Sequence, residues 1–271
     1  MHITPIKQYG KLAFALAVVL IANTSFILSK NPGRNSFQLH KESGLIRTLT
    51  FKGKHYIVCE ADPHQYKVEL FNSLPNGKGA YTFKQIAKEK QQKLIFAMNA
   101  GMYEKDLSPV GLFIADGETR KEINVRTDAS GNFYQLRPNG VLMIDINDDP
   151  FVLITESYIK QYHKVSHKVR IATQSGPMLV INGLFNTNFQ ANSINVNIRN
   201  GVGINSQHQV VFVISTDPVN FYEFAQLFKT ELDCANALYL DGVISQYYAP
   251  ELQAEPMPGV PLGTILTVSH K

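Results

Sequence analysis

Ala237-Leu238-Tyr239-Leu240-Asp241-Gly242-Val243-Ile244-Ser245 carries an apolar strand pattern straight into an acidic turn, with a hydroxyl three residues beyond the glycine. A short apolar run bounded by turn residues reads as a buried strand. The Asp241 carboxylate is therefore expected at a strand end. Two other segments share this grammar: Asn99-Ala100-Gly101-Met102-Tyr103 and Gln174-Ser175-Gly176-Pro177 each follow an apolar run and open on small or polar residues. Three strand ends far apart in sequence can converge on one pocket.

Outward from Asp241, strand-like runs recur at Leu45 to Phe51, His55 to Glu60, Tyr66 to Phe71, Leu94 to Met98 and Val110 to Ala115. They continue at Val141 to Ile144, Met178 to Ile181, Val210 to Ile214 and Thr264 to Val268. Asp116-Gly117 and Asn182-Gly183 are hairpin signals, because both residues tolerate positive φ at little steric cost. Helices are few. One runs from Thr82 to Gln91 behind a Thr cap. The other, Val219 to Leu232 after Pro218, places Phe221, Phe224, Ala225, Leu227 and Phe228 on one apolar face. The expected fold is α+β, a mainly antiparallel or mixed β-sheet with a few covering helices, in a single domain over residues 45–271. No internal repeat and no dinucleotide, P-loop or zinc-protease motif is present.

The formal charge of +4 is localised. Lys7, Lys11, Lys30 and Arg34 are the only charged groups in the first thirty-four residues; without them the 26 basic residues fall to 22, equal to the 22 acidic ones. The neutral body lacks the basic footprint that nucleic-acid binding requires. Leu12 to Leu28 is an almost uninterrupted apolar run behind Lys7 and Lys11, the layout of an export signal. Residues 1–30 are thus expected to be a signal peptide or N-terminal membrane anchor, and 31–44, with Pro32 and Gly33, a linker. The domain is expected to be extracytoplasmic, periplasmic or secreted, touching membrane only through that segment. Cys59 and Cys234 permit one disulfide in an oxidising compartment, and two buried thiols fit equally well.

Each chemical motif has a bland alternative. Small residues at Ala100 and Gly101 let backbone approach a ligand, with Met102 beside them, while the Asn99 amide offers both a donor and an acceptor; a turn explains the same letters. Ser175 is not a hydrolase nucleophile, since Thr173 stands where the Gly-x-Ser-x-Gly elbow needs glycine. Arg199, followed by Asn200 and small residues, offers a planar donor fork for phosphate or carboxylate. The histidines and the remaining aspartates fit no metal-ligand spacing. No cofactor is required, and a divalent cation held by separate loops remains compatible.

Taken in order, these segments resemble the phosphodiester glycosidase family. Asn99-Ala100-Gly101-Met102-Tyr103 is similar to its Asn-Gly-aromatic segment and Ser175-Gly176-Pro177 to its Ser-Gly-Pro strand. Arg199 with Gly201-Val202-Gly203-Ile204 resembles its Arg and Val-Gly-Ile run, and Leu240-Asp241-Gly242 with Ser245 its Leu-Asp-Gly-Gly segment. Val243 and Ile244 replace glycines of that pattern, a departure that suggests a bacterial envelope branch. The resemblance implies a hydrolase cutting between an anomeric carbon and a phosphate oxygen, acting on a sugar phosphodiester or envelope glycan. It assigns catalysis to Asp241, Arg199 and Asn99, and substrate contacts to Gly101, Met102, Gln174, Ser175, Gly176, Asn200, Gly242 and Ser245. Three other readings stand beside it: a non-catalytic sugar-phosphate-binding envelope protein, a structural envelope protein, and a phosphodiesterase attacking at phosphorus.

Overall fold

The structure, a computed structural model, describes residues 44–72, 82–241, 245–253 and 262–271. Residues 1–30, all of the expected linker but Gly44, and Gly242 lie outside them. The described residues belong to one compact unit, Lys41–Lys271. Its strands are, in chain order, β1 (Ile46–Phe51), β2 (Lys54–Ala61), β3 (Tyr66–Phe71), β4 (Leu94–Asn99), β5 (Phe113–Ala115), β6 (Glu118–Lys121), β7 (Gly140–Asp145) and β8 (Pro150–Ile154). Then come β9 (Val169–Ser175), β10 (Met178–Ile181), β11 (Leu184–Phe185), β12 (Asn200–Asn205), β13 (Val210–Ser215), β14 (Cys234–Asp241), β15 (Tyr247–Tyr248) and β16 (Ile265–His270). The helices are α1 (Phe83–Lys90), α2 (Asn132–Gln135), α3 (Thr155–Gln161) and α4 (Phe221–Gln226), the last running on into a π-helical turn at Leu227–Glu231.

Among the described residues three sheets form, ordered β1-β2-β13-β12-β14-β10-β11, β15-β4-β16-β3 and β6-β5-β9-β7-β8. Every pairing among the described residues is antiparallel. One core joins all three: Phe212 and Leu240 come from the first sheet, Phe96 and Val268 from the second, Phe113 and Leu142 from the third. The opposite face of each sheet is buried too. α4 lays Phe224 and Ala225, and its π-helical continuation Phe228, over Val211, Val213 and Tyr239. α1 covers Leu94, Ala97 and Ile265 with Phe83 and Ile86, and α3 covers Val141 and Met143 with Tyr158. Two-sided burial explains why strands such as Val210–Ser215 read as continuous apolar runs instead of alternating ones.

Local signals account for the ends. Thr82 accepts from the Gln85 N–H while the Gln85 side chain accepts from the Thr82 N–H, a reciprocal cap that fixes the start of α1. Asn220 and Glu223 do the same for α4. Asp116-Gly117 and Asn182-Gly183 all have positive φ, as hairpin turns require.

The disulfide expectation is corrected here. Both cysteines are free and buried. Cys59 sits in β2 on the central core, whereas Cys234 sits in β14 under α4. β13 and β12 separate those strands, so the thiols lie about 14 Å apart along the sheet at roughly 4.8 Å per strand, and on opposite faces. A disulfide needs Cα atoms within about 7 Å.

Candidate active site

The site grows from three strand ends. β14 finishes at Asp241, which is 7% exposed; β4 finishes at Asn99 and β12 begins at Asn200, both fully buried. Asn99 Nδ2 donates to Asp241 Oδ2 at 3.3 Å. Asn200 Nδ2 donates to the backbone oxygen and to Oδ1 of Asn99, each at 2.8 Å, and Asn200 Oδ1 accepts from the Asp241 N–H at 2.7 Å. The Gln246 N–H adds a 3.0 Å bond to Asn99 Oδ1. Asn99 therefore has its oxygen turned inward and its NH2 turned to the carboxylate.

Backbone detail makes this closure. β12 and β14 pair Asn200 with Asp241 but Gly201 with Tyr239, so a bulge falls at the site. Bulges re-aim side chains next to functional positions. Gly201 and Gly203 let β12 lie under α4, since a Cβ at Gly203 would stand 2.7 Å from Cys234 Sγ and 2.9 Å from the Phe228 ring.

A cavity of about 380 Å³ opens beside the carboxylate. Met102, Tyr103, Glu104 and Val110 form one wall, Ser130 to Tyr134 another, and Tyr239 and Asp241 the sheet side. Tyr239 and Asp241 share this wall because strand side chains repeat every second residue. Four aromatic side chains, Tyr103, Phe133, Tyr134 and Tyr239, stand in the wall, with Asp241 and the exposed Glu104 as its carboxyl groups. Among the described residues no group of three His, Cys, Asp or Glu side chains could hold a metal ion.

The other sequence-predicted residues divide. Met102 lines the cavity. Gly101 packs its Cα against Thr173, its backbone oxygen accepting from Thr264 Oγ1 at 2.9 Å. Ser175, at the end of β9, donates to the Leu240 oxygen at 2.7 Å, tying the third sheet to the strand that ends in Asp241. Ser245 donates to the Ile198 and Asp241 oxygens at 3.3 and 3.2 Å. Gly176 lies so close to Asn139 that a Cβ would meet its Oδ1 at 2.1 Å. Gln174 is a structural side chain here: Oε1 accepts from the Leu112 and Asn124 N–H groups at 3.0 and 2.9 Å, and Nε2 donates to the Asn124 oxygen and Thr155 Oγ1 at 2.8 and 3.2 Å. Those four bonds use its hydrogen-bonding groups away from the cavity.

Arg199 stands one layer behind the cavity wall, 1% exposed. Nε donates to the Val219 oxygen at 2.8 Å, and Nη2 to the Asn195 oxygen and Oδ1 at 2.9 and 3.2 Å. Its guanidinium stacks 3.7 Å from the Phe221 ring centroid and 5.5 Å from that of Tyr239. Burial lowers its pKa, and Tyr239 opposes that shift. The guanidinium touches the site through Tyr239, not through the cavity. Burial raises the Tyr239 phenol, Arg199 pulls it down, and Asp241 raises it further. The Tyr103 phenol is raised by burial and then by Asp241.

Sequence reasoning missed Tyr239, Glu104 and the Ser130 to Tyr134 segment as cavity residues. Tyr239 had a signal, two residues before Asp241 on one strand face. Ser130 to Tyr134 had none, since only the tertiary fold brings α2 to β14.

The fold matches solved structures at low identity. The catalytic domain of zebrafish N-acetylglucosamine-1-phosphodiester alpha-N-acetylglucosaminidase, auto-inhibited by its pro-peptide, aligns with a TM-score of 0.58 at 16% identity, over 86% of each chain. A hypothetical protein from Synechocystis aligns with a TM-score of 0.51 at 12% identity, over 83% of this chain and 61% of that one. In sequence, the uncharacterized protein YigE of Escherichia coli (strain K12) is 33% identical over 212 residues, 78% of this chain and 80% of that protein. The phosphodiester glycosidase family model matches residues 92–262. That span is more than half of the chain and takes in Asn99, Ser175, Arg199 and Asp241: the chain belongs to the phosphodiester glycosidase family.

Proposed function

We propose that this protein is an exported hydrolase that cleaves the glycosidic bond of a sugar 1-phosphodiester. One observation carries the reading: Asp241, held by Asn99 and Asn200, lines a cavity that also carries four aromatic side chains and is large enough for a sugar. Aromatic faces suit the apolar C–H faces of a pyranose. Asp241 acts at the anomeric carbon, as base toward water or as nucleophile. Glycosidases usually need a second carboxyl group to protonate the leaving oxygen. A phosphate monoester leaves readily, which relaxes that need. Arg199 supplies positive charge behind Tyr239, and Asn99 orients the carboxylate. Export rests on residues 1–30, with Lys7 and Lys11 ahead of the apolar run; recovery of the chain only from the cytoplasm would remove it.

Replacing Asp241 with Asn keeps the shape and removes the charge, so turnover of sugar 1-phosphodiesters falls by about 10²–10⁴-fold with the fold intact. Hydrolysis in ¹⁸O-water places label in the sugar. Label in the phosphate means attack at phosphorus and refutes the glycosidase reading, and binding with no product makes the protein a sugar-phosphate binder.

A further inference from the structure

Among the described residues the cavity wall carries two carboxyl groups, Asp241 and Glu104, and no Lys, Arg or His. Arg199 stands behind it with its donors on Val219 and Asn195. An anionic ester entering beside two carboxylates is repelled unless positive charge stands at the opening. Arg126 is placed to supply that charge. Its loop joins the two walls: Asn124 Nδ2 donates to the oxygen of Val110 on one wall at 2.8 Å, Asn124 Oδ1 accepts from the Arg126 N–H at 3.0 Å, and the chain then runs on into Ser130 to Tyr134 of the other. Arg137 Nη2 donates to the Val125 and Arg126 oxygens and so holds the loop from the side of α2.

The Arg126 side chain itself is 64% exposed. Its Nε and Nη2 fork onto the two oxygens of Asp128 at 3.0 and 3.4 Å. Asp128 raises its pKa first, through the hydrogen bond and then its charge, and Tyr134 and Glu104 raise it further. Those last two residues stand on opposite walls, so the guanidinium lies at the rim between them. The fork that grips a carboxylate fits two phosphate oxygens equally well. Asp128 is exposed too, at 71%, and an ion pair between two exposed groups is weak enough to give way.

Resting on the hydrolase reading above, we propose that Arg126 binds the phosphate of the sugar phosphodiester at the cavity mouth, exchanging the Asp128 carboxylate for two phosphate oxygens. Asp128 is then an internal competitor that presets the guanidinium and lowers its affinity. Arg126 holds the phosphate before and during bond cleavage alike, so it sets KM and leaves kcat almost unmoved.

The test compares Arg126→Gln, Asp128→Asn and the double variant with Lys105→Gln, which removes the exposed cation next to Glu104 in the chain. The substrates are the 1-(methyl phosphate) diesters of glucose, mannose and N-acetylglucosamine, and thermal melting checks the fold. Arg126→Gln raises KM by about tenfold, the effect of losing a charged hydrogen bond, with kcat within about twofold. Asp128→Asn frees the fork and lowers KM by about threefold, and the double variant behaves as Arg126→Gln. Opposite movement of the two single variants is a result that a merely structural loop would not give. An unchanged KM in Arg126→Gln, or a rise confined to Lys105→Gln, overturns the assignment, and an unchanged or raised KM in Asp128→Asn overturns the exchange of partners. Asp241→Asn reports separately on the hydrolase reading. Should the wild type cleave none of these diesters, that reading falls and calorimetry with the same compounds judges Arg126. Tenfold weaker binding by Arg126→Gln supports it; equal binding, or no binding by the wild type, overturns it.

Discussion

Asn200→Ala removes the strut beneath the Asp241 carboxylate. The side chain is fully buried and makes three bonds, donating twice to Asn99 and accepting from the Asp241 N–H. Asn99 Oδ1 keeps the Gln246 N–H, so the clearest stranded group is the Asp241 N–H. A stranded buried donor costs about 1–3 kcal/mol, and each lost neutral bond about 0.5–1.5 kcal/mol net. With that donor and the two bonds to Asn99 the sum is about 2–6 kcal/mol. At about 2–4 °C per kcal/mol for a domain of this size, the melting temperature falls by about 4–24 °C. Turnover falls with it at temperatures where the variant remains folded, because Asn99 then keeps only one of the two donors that fix its side-chain oxygen. Asn200→Asp sharpens the argument. It keeps an acceptor for the Asp241 N–H but turns a second oxygen toward the two Asn99 oxygens. Its stability relative to wild type therefore recovers as pH falls and the new acid protonates into a donor. Differential scanning calorimetry at several pH values, with turnover of the sugar phosphodiester, checks both variants. An Asn200→Ala protein melting within about 1 °C of wild type and turning over normally would refute the claim that this amide sets the site.

Alkali destabilises the fold early. Burial raises the Cys59 and Cys234 thiols and the Tyr56 and Tyr239 phenols, and takes the Tyr158 phenol up to about 12. The unfolded chain ionises these groups at their ordinary values, about 8.5 for thiols and about 10 for phenols, so stability is whole below pH about 8.5 and drains away above it. Melting temperatures unchanged from pH 8 to 11 would contradict this, as would rapid reaction of either thiol with Ellman's reagent in the native protein. Gly203→Ala forces a methyl group against Cys234 and Phe228 and lowers stability by about 1–3 kcal/mol in a urea titration; a neutral result would mean that α4 is not pressed onto β12.

The strands with dense apolar runs were legible because burial on both faces leaves few polar letters to confuse the period. β12 was not. Asn200-Gly201-Val202-Gly203-Ile204-Asn205 is not among the strand-like runs, and its glycines are there because α4 and the π-helical turn press onto the sheet at Phe224 and Phe228, a contact no local window contains. Val110 to Leu112 also differ: they read as strand, yet the Gln174 side chain binds the Leu112 N–H and β5 starts only at Phe113. Asp241 was legible as a strand end and Asn99 as its counterpart. The cavity was not, since Tyr103, α2 and Tyr239 meet only after three sheets close. Arg199 shows the limit of residue-type reasoning, because a guanidinium suited to phosphate is instead spent on Val219, Asn195 and the Phe221 ring.

The meeting of three sheets at Asp241 also sets a timetable. Asn99 belongs to the second sheet, Asn200 and Asp241 to the first, and Ser175 reaches across from the third. Asn99 is itself paired with Ile265, on a strand inserted between β4 and β3. On the ribosome, β3 and β4 emerge long before the strand that separates them. Such distant pairings form late in folding. Assembly of the Asp241 cluster is therefore expected to be all-or-none in synthesis as well as in equilibrium: a nascent chain stopped before β16 has its carboxylate and its amides but lacks the strand that pairs with Asn99, so the meeting of these side chains marks the closing of the three sheets.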